Sequence, residues 1–319
     1  MPRTFSAVIC AYTVDRWAEL QAAVTSMRRQ SRRPDEVILV VDHNPELLDR
    51  AATAFRDVRC VPNVCSRGLS GARNTGVELA GGDVIGFLDD DAVAAPDWVE
   101  QLMQAYEDEA VLGVGGWIRP DWRAPRPDWL PDEFLWVVGC SYAGLPTTRT
   151  EVRNPIGANM SFRREVLTAV GGFDPRFGRS GADAAGCEET EFAIRARRTY
   201  TGGRIVLEPA ASCDHAVGPD RVTHRYFRRR CAAEGRSKAL VSRLAGSKAA
   251  LSTERAYVCR ILPRAVGRGL RATLQGDRHG ASRAWSIVEG TALAAVSYLA
   301  TTWRLGRCRP RDRAYPAGR

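Results

Sequence analysis

Residues 67–100 read RGLSGARNTGVELAGGDVIGFLDDDAVAAPDWVE. The pattern predicts a helix over 69–80, closed by Gly81-Gly82. An apolar, β-branched run follows at 84–88 and predicts a buried strand that leads directly into Asp89-Asp90-Asp91. Pro96 then opens a further helix, with Trp98, Leu102 and Tyr106 on one face.

The same alternation extends toward the N-terminus. Phe5–Ala11 and Glu36–Val41 read as buried strands, and 58–62 as a short third. Between the first two, Trp17, Leu20, Val24 and Met27 recur at helical spacing, and Pro45 suits the first turn of a helix. The connections are too long for hairpins. The order β-α-β-α-β-α-β therefore predicts an α/β fold with a mostly parallel sheet and helices on both faces. Ligands in such sheets bind beyond the carboxyl ends of the strands. The polar groups there are Tyr12-Thr13, Asp42-His43-Asn44 and the three aspartates. Residues 119–150, with Trp122, Trp129 and Trp136, lose periodicity and read as an irregular excursion over the site. A strand at 157–162, helices at 164–169 and 188–198, and a short strand at 204–207 follow. Beyond Arg221 the chain reads as mostly helical.

With 45% hydrophobic and 26% charged residues, the 319-residue chain is not a disordered one. Its charge is uneven. Residues 1–220 carry 24 basic and 32 acidic side chains, a net of −8, whereas 221–319 carry 22 and 5, a net of +17. This predicts two parts, an acidic body over 1–220 and a basic region over 221–319 that meets an anionic surface. The nine cysteines, Cys308 the last, are odd in number and contain no CxxC pair, which speaks for reduced thiols rather than a disulfide or zinc scaffold. No stretch reaches the ~20 apolar residues of a spanning helix. The expected location is cytoplasmic, at most peripheral on the inner face of the membrane.

Several motifs carry chemistry, each beside a plainer reading. Three consecutive carboxylates repel one another, and a hard divalent ion, Mn²⁺ or Mg²⁺, with phosphate oxygens resolves the repulsion. The alternative is a solvated acidic turn. Gly68 and Gly71 at a helix start, with Arg67 and Arg73, favour an anion, although neither a dinucleotide fingerprint nor a P-loop is present. In Glu188-Glu189-Thr190-Glu191, Glu188 and Glu191 share a helix face and Glu189 points about 100° away. Such a cluster supplies a general base or simply an acidic first turn. His215 after the last strand is a ligand or a buried structural histidine. Trp117, Trp122, Trp129 and Trp136 suit a stacking surface for a sugar or lipid, or core packing. Arg225, Arg228 and Arg229 form one cationic stripe, suited to a lipid phosphate or to solvent.

The segments AVICAY, EVILVVDHN, RGLSGARNTGVELAGGDVIGFLDDDAVAAPDWVE, GANMSFRREVLTAVGGFDPRFG and EETEFAIRAR occur in this order. Together they resemble a family-two glycosyltransferase of the GT-A fold, over roughly residues 5–216. Within that family VVDHNPEL, RGLSGARNTGVELA and EETE are similar to the glucosyl-dolichyl-phosphate glucuronosyltransferases. The resemblance implies that Tyr12 and Asp42 hold the uracil and ribose of a UDP-sugar, with Arg73 and Asn74 on the helix that closes over the nucleotide. It implies that Asp89, Asp90 and Asp91 form the DXD region, with Asp89 and Asp91 toward the metal and His215 near it. Gly157, Ala158 and Asn159 would floor the sugar site. The family's base is an aspartate at the second position of its acidic motif, where this chain has Glu189, so Glu188 and Glu191 remain candidates.

The expectation is thus a metal-dependent, inverting transfer from a UDP-sugar to an acceptor hydroxyl, on a lipid-linked saccharide by preference. A soluble enzyme tailoring a secondary metabolite, or a catalytically silent protein that binds sugar nucleotides or membranes, are the alternatives. No nucleic-acid motif accompanies the basic charge.

Overall fold

The computed structural model describes residues 3–178 and 186–307. Cys308 and the rest of the C-terminal end of the basic region lie outside the described residues. The chain divides into two compact units. One comprises Met1–Asp121, Pro146–Asp183 and Glu188–Ala216; the other comprises Trp122–Leu145, Ala184–Cys187 and Val217–Arg319.

The first unit is built on a mixed sheet. Its parallel part contains β1 (Phe5–Ala11), β2 (Glu36–Val41), β3 (Arg59–Pro62) and β4 (Val84–Asp89) in the order β3-β2-β1-β4. The intervening helices are α1 (Trp17–Arg28), α2 (Pro45–Ala54) and α3 (Leu69–Leu79), close to the bounds that the periodicity predicts. Asn44 caps α2 by accepting from the Leu47 amide, and Pro45 follows it at the first helical position. Register pairs Ala11 with Val41 and Cys10 with Asp89, so β1, β2 and β4 end at one edge.

Beyond β4 the strands turn antiparallel. After β5 (Ala92–Ala94) and α4 (Trp98–Ala105) come β6 (Val111–Trp122), β7 (Thr150–Val152) and β8 (Asn159–Arg163). Then α5 (Arg164–Val170), α6 (Glu188–Thr199) and β9 (Arg204–Val217) complete the unit, with β7 paired to β9. The order continues β4-β8-β6-β9-β5. Sequence periodicity misses β6, and it sees only the first residues of β9. The reason is steric. A Cβ at Gly113 would lie 2.4 Å from Phe162, and one at Gly116 would lie 1.9 Å from the Ala211 carbonyl. Those glycines are required by close strand packing, yet they erase the β-branched alternation that marks a strand. In β9, Pro209 and the Asp214-His215 pair interrupt the apolar run. The core under α5 and α6 is a cluster of Phe162, Phe173 and Phe192, with ring centroids 4.7 and 5.1 Å from Phe192.

The second unit is helical. It contains a 3₁₀ segment, Asp132–Val138, inside the stretch that reads as irregular, then α7 (His224–Ala245), α8 (Ser247–Ala250) and α9 (Ser252–Ala256). A π turn at Tyr257–Ile261 leads into α10 (Leu262–Leu274), and α11 (Gly280–Arg307) is the last helix described. At Gly235 of α7 an added Cβ would fall 2.1 Å from the Ala294 carbonyl of α11, so the two backbones touch. Trp129 stacks on His224 at 3.8 Å and meets Phe227 edge-on, while Trp136 tilts against Phe134. The buried Glu133 carboxylate is paired with Arg268. Among the described residues no helix is long and apolar enough to cross a membrane.

Candidate active site

The level ends of β1, β2 and β4 carry the polar residues, all within the first unit. Tyr12, directly after β1, is 50% exposed, and the Arg16 guanidinium lies 5.4 Å from its ring centroid. Asp42, directly after β2, is held by two donors: the Asn63 amide at 2.6 Å and the Gly68 backbone N–H at 2.9 Å. Asn63 is itself fixed, accepting from the Thr75 hydroxyl at 2.9 Å and donating to the Ser66 carbonyl. His43 takes a positive φ of 51° and sets Nδ1 2.8 Å from the Asp42 carboxylate. A carboxylate fixed by two donors presents its remaining lone pairs in a set direction, which suits a ligand hydroxyl.

The three aspartates take different environments. Asp89, a quarter exposed, receives Arg73 at 3.3 Å. Asp90 and Asp91 are buried, and Arg16 reaches them at 3.2 and 3.1 Å. Antiparallel pairing of β5 with β9 sets Ala92 opposite His215, which brings His215 Nε2 within 3.1 Å of Asp91 Oδ1. Ligand atoms from Asp89, Asp91 and His215 lie within 4.8 Å of one another. Asp90 Oδ2 is buried without a hydrogen-bond partner. Burial first, then the Asp91 charge, pushes the Asp90 carboxyl up to about 7. Asp89, Asp90, Asp91 and Glu188 outnumber Arg16 and Arg73, and two carboxylates with an imidazole in that surplus of negative charge fit a divalent cation.

Arg73 joins this cluster to the acidic motif. It is 1% exposed and donates to Glu188 Oε1 at 2.7 Å, to the Gly157 carbonyl at 2.9 Å and to Asp89. The second oxygen of Glu188 is buried without a hydrogen-bond partner. Glu191 is 1% exposed and paired with Arg195 through both oxygens, at 2.6 and 2.7 Å. Glu189 is half-buried, and its carboxylate accepts from the Thr190 hydroxyl at 3.3 Å.

Two further residues singled out in the sequence are engaged by the backbone. The Asn74 amide donates to the Phe173 carbonyl and accepts from the Phe173 N–H, both at 2.8 Å, fastening α3 to the turn after α5. Asn159 has no exposure. It accepts from Trp98 Nε1 at 2.7 Å and donates to the Ala211 carbonyl at 2.9 Å. Ala158, beside it, is buried and gives its carbonyl to the Asp89 N–H. Sequence reading did not single out Asn63 or Arg16. Asn63 follows the end of β3, so its place at a fourth strand end was its signal. Arg16 lies one turn after β1 and carried none.

Comparison with known proteins agrees with this geometry. The model of glycosyl transferase family 2 matches residues 6–171. The glucosyl-dolichyl phosphate glucuronosyltransferase of Haloferax volcanii is 39% identical over 216 residues, 66% of this chain and 69% of that protein. The succinoglycan biosynthesis protein ExoM of Rhizobium meliloti is 26% identical over 164 residues, 51% of this chain and 49% of that protein. Among solved structures, the mannosyltransferase PcManGT from Pyrobaculum calidifontis, in complex with GDP-Man and Mn²⁺, aligns with a TM-score of 0.60 at 18% identity, covering 94% of this chain and 88% of that one. GalNAc-T7 with UDP, GalNAc and Mn²⁺ aligns with a TM-score of 0.53 at 17% identity, over 76% of this chain and about half of that one (48%). The structural likenesses show the GT-A fold. With the family match spanning every parallel strand and the three aspartates, the chain belongs to glycosyl transferase family 2 and is a glycosyltransferase.

Proposed function

We propose that the enzyme transfers a sugar from a UDP-sugar to an acceptor hydroxyl with inversion, and that the acceptor is a lipid-linked saccharide. The observation that carries this reading is the convergence of Asp89, Asp91 and His215 at the end of β4, in register with the ends of β1 and β2. Asp42, oriented by Asn63 and Gly68, would receive the ribose hydroxyls, with the exposed Tyr12 ring beside the base. A divalent ion held by Asp89, Asp91 and His215, Mn²⁺ or Mg²⁺, would act as Lewis acid for the departing diphosphate. The two solved structures of similar fold contain Mn²⁺, which supports a divalent ion here.

Glu189 is the proposed base. Glu188 and Glu191 are buried and held in ion pairs with Arg73 and Arg195. Glu189 is the more accessible of the three, as removal of an acceptor proton requires. Residues 1–220 would supply donor binding and chemistry, and 221–319 would meet the acceptor at an anionic membrane surface, on the cytoplasmic inner face. The Haloferax relative's name, a transferase acting on a glucosyl-dolichyl phosphate, supports the lipid-linked acceptor.

The test is UDP release from a panel of UDP-sugars, with and without Mn²⁺, using membrane extract or soluble glycosides as acceptor. Metal-dependent release stimulated by the extract is the expected result. Stimulation by soluble acceptors alone would favour the small-molecule tailoring alternative, and no release from any donor would overturn the reading.

A further inference from the structure

The exposed face of α11 carries an apolar ridge. Trp285, Val288, Val296, Leu299 and Trp303 are 47–65% exposed, and Ala292 between them is exposed too. At 100° per residue these six positions fall within about 80° of arc and run for about 27 Å along the helix. Ile287 and Gly290, which are buried, lie on the opposite side. The preceding helix, α10, adds Leu270 and Leu274, which are 52% and 88% exposed one turn apart.

Charge selects the occupant of this ridge. Arg304 and Arg307 are exposed at its C-terminal end, and the Arg307 guanidinium stacks 3.6 Å from the Trp303 ring. Arg264, Arg271 and Arg278 are exposed on and after α10. Glu289, at the ridge's margin, is compensated by Arg228 at 2.7 Å. A second copy of so basic a region would be repelled, whereas an anionic bilayer would be attracted. A long helix with tryptophans at both ends of its apolar face and arginines beside it has the composition of an interfacial helix. We infer that the α11 ridge inserts into the headgroup boundary of an anionic membrane without spanning it, as the apolar half of a two-part attachment whose other half is the arginine charge. The inference rests on the membrane-held acceptor proposed above and specifies how the enzyme reaches it.

The two halves respond differently to salt. Charge attraction is screened over about 8–10 Å at physiological strength, but apolar burial persists in salt. Vesicle co-sedimentation of the full chain, on phosphatidylcholine alone and on an equal mixture with phosphatidylglycerol, at low and high salt, separates them. The wild type should bind the mixed vesicles and keep a salt-resistant fraction. Combined Val296→Ser, Leu299→Ser and Trp303→Ser should lower affinity roughly tenfold or more and remove that fraction. Combined Trp285→Ser and Val288→Ser, at the other end of the ridge, should do the same in lesser degree if the first variant misfolds. Combined Arg304→Gln and Arg307→Gln should weaken low-salt binding only. Donor hydrolysis without acceptor should be unchanged in all three, which separates loss of attachment from loss of the transferase. Ridge variants that bind like the wild type, a wild type that ignores every vesicle, or a ridge-dependent dimer in sedimentation velocity would each overturn the inference.

Discussion

Arg73 and Glu188 meet at 2.7 Å although 115 residues separate them, and their side chains are only 2% and 6% exposed. This pair ties the helix after the glycine loop to the helix that bears the acidic motif. A buried ion pair contributes little over an apolar pair of equal shape, yet losing one partner strands the other. Arg73 would retain Asp89 and the Gly157 carbonyl, so Glu188→Ala should destabilise by the lower end of about 3–5 kcal/mol, and Glu188→Gln by less. The check is the denaturant midpoint at constant m-value. An alanine variant as stable as the wild type would remove the pair's structural role.

The metal cluster makes a prediction that needs no turnover. An ion bound only by the folded chain raises its stability by mass action, about 2.7 kcal/mol at a hundredfold excess over Kd. Mn²⁺ should raise the melting temperature modestly, and more with UDP, whose diphosphate supplies further oxygens. Asp91→Ala and His215→Ala should lose both increments. If EDTA leaves activity and melting temperature unaltered, the cluster does not hold a working ion.

What was legible beforehand follows from which interactions leave a local pattern. β1, β2 and β4 are buried on both faces, so they read as unbroken apolar runs, and Asn44-Pro45 marked a helix start through capping chemistry. β6 carried no such mark, because the contacts that demand Gly113 and Gly116 come from Phe162 and Ala211, far off in the chain. The site divides in the same way. Carboxylates at strand ends show in the sequence. The approach of His215 to Asp91 depends on long-range pairing of β5 with β9, and only the family likeness suggested it. Asn63, at the end of β3, has a position that the sequence shows, but its bridge between Asp42 and Thr75 depends on contacts 12 and 21 residues away that leave no local pattern.

The acidic motif offers a three-way comparison. Glu189→Gln should lower kcat by roughly 10²–10⁴-fold with UDP binding preserved, as for loss of a general base. Glu191→Gln should act mainly on stability, because it removes the charge facing Arg195, whose guanidinium also donates to the Val170 and Gly172 carbonyls. If Glu188→Gln is inactive while Glu189→Gln is nearly normal, the base is the residue before.

Alkaline stability follows from the buried thiol of Cys231. It has no exposure, and burial, outweighing the opposing Arg230 charge, pushes it up from its ordinary 9.0 to about 12. Burial moves the Tyr106 phenol in the same direction. Between pH 9 and 12 the unfolded chain has therefore released the Cys231 proton while the folded chain holds it. The unfolded state then binds fewer protons, so stability falls as pH rises through this window and is unaffected by this group below it. Cys231→Ala should flatten the decline above pH 9, whatever its effect on stability at neutral pH. The same burial keeps the thiol protonated and shielded, whereas Cys259 is exposed. Alkylation mapped by peptide mass near neutral pH should thus modify Cys259 early and Cys231 only at the rate of unfolding. Equal labelling of the two would show that α7 opens far more readily than its packing implies.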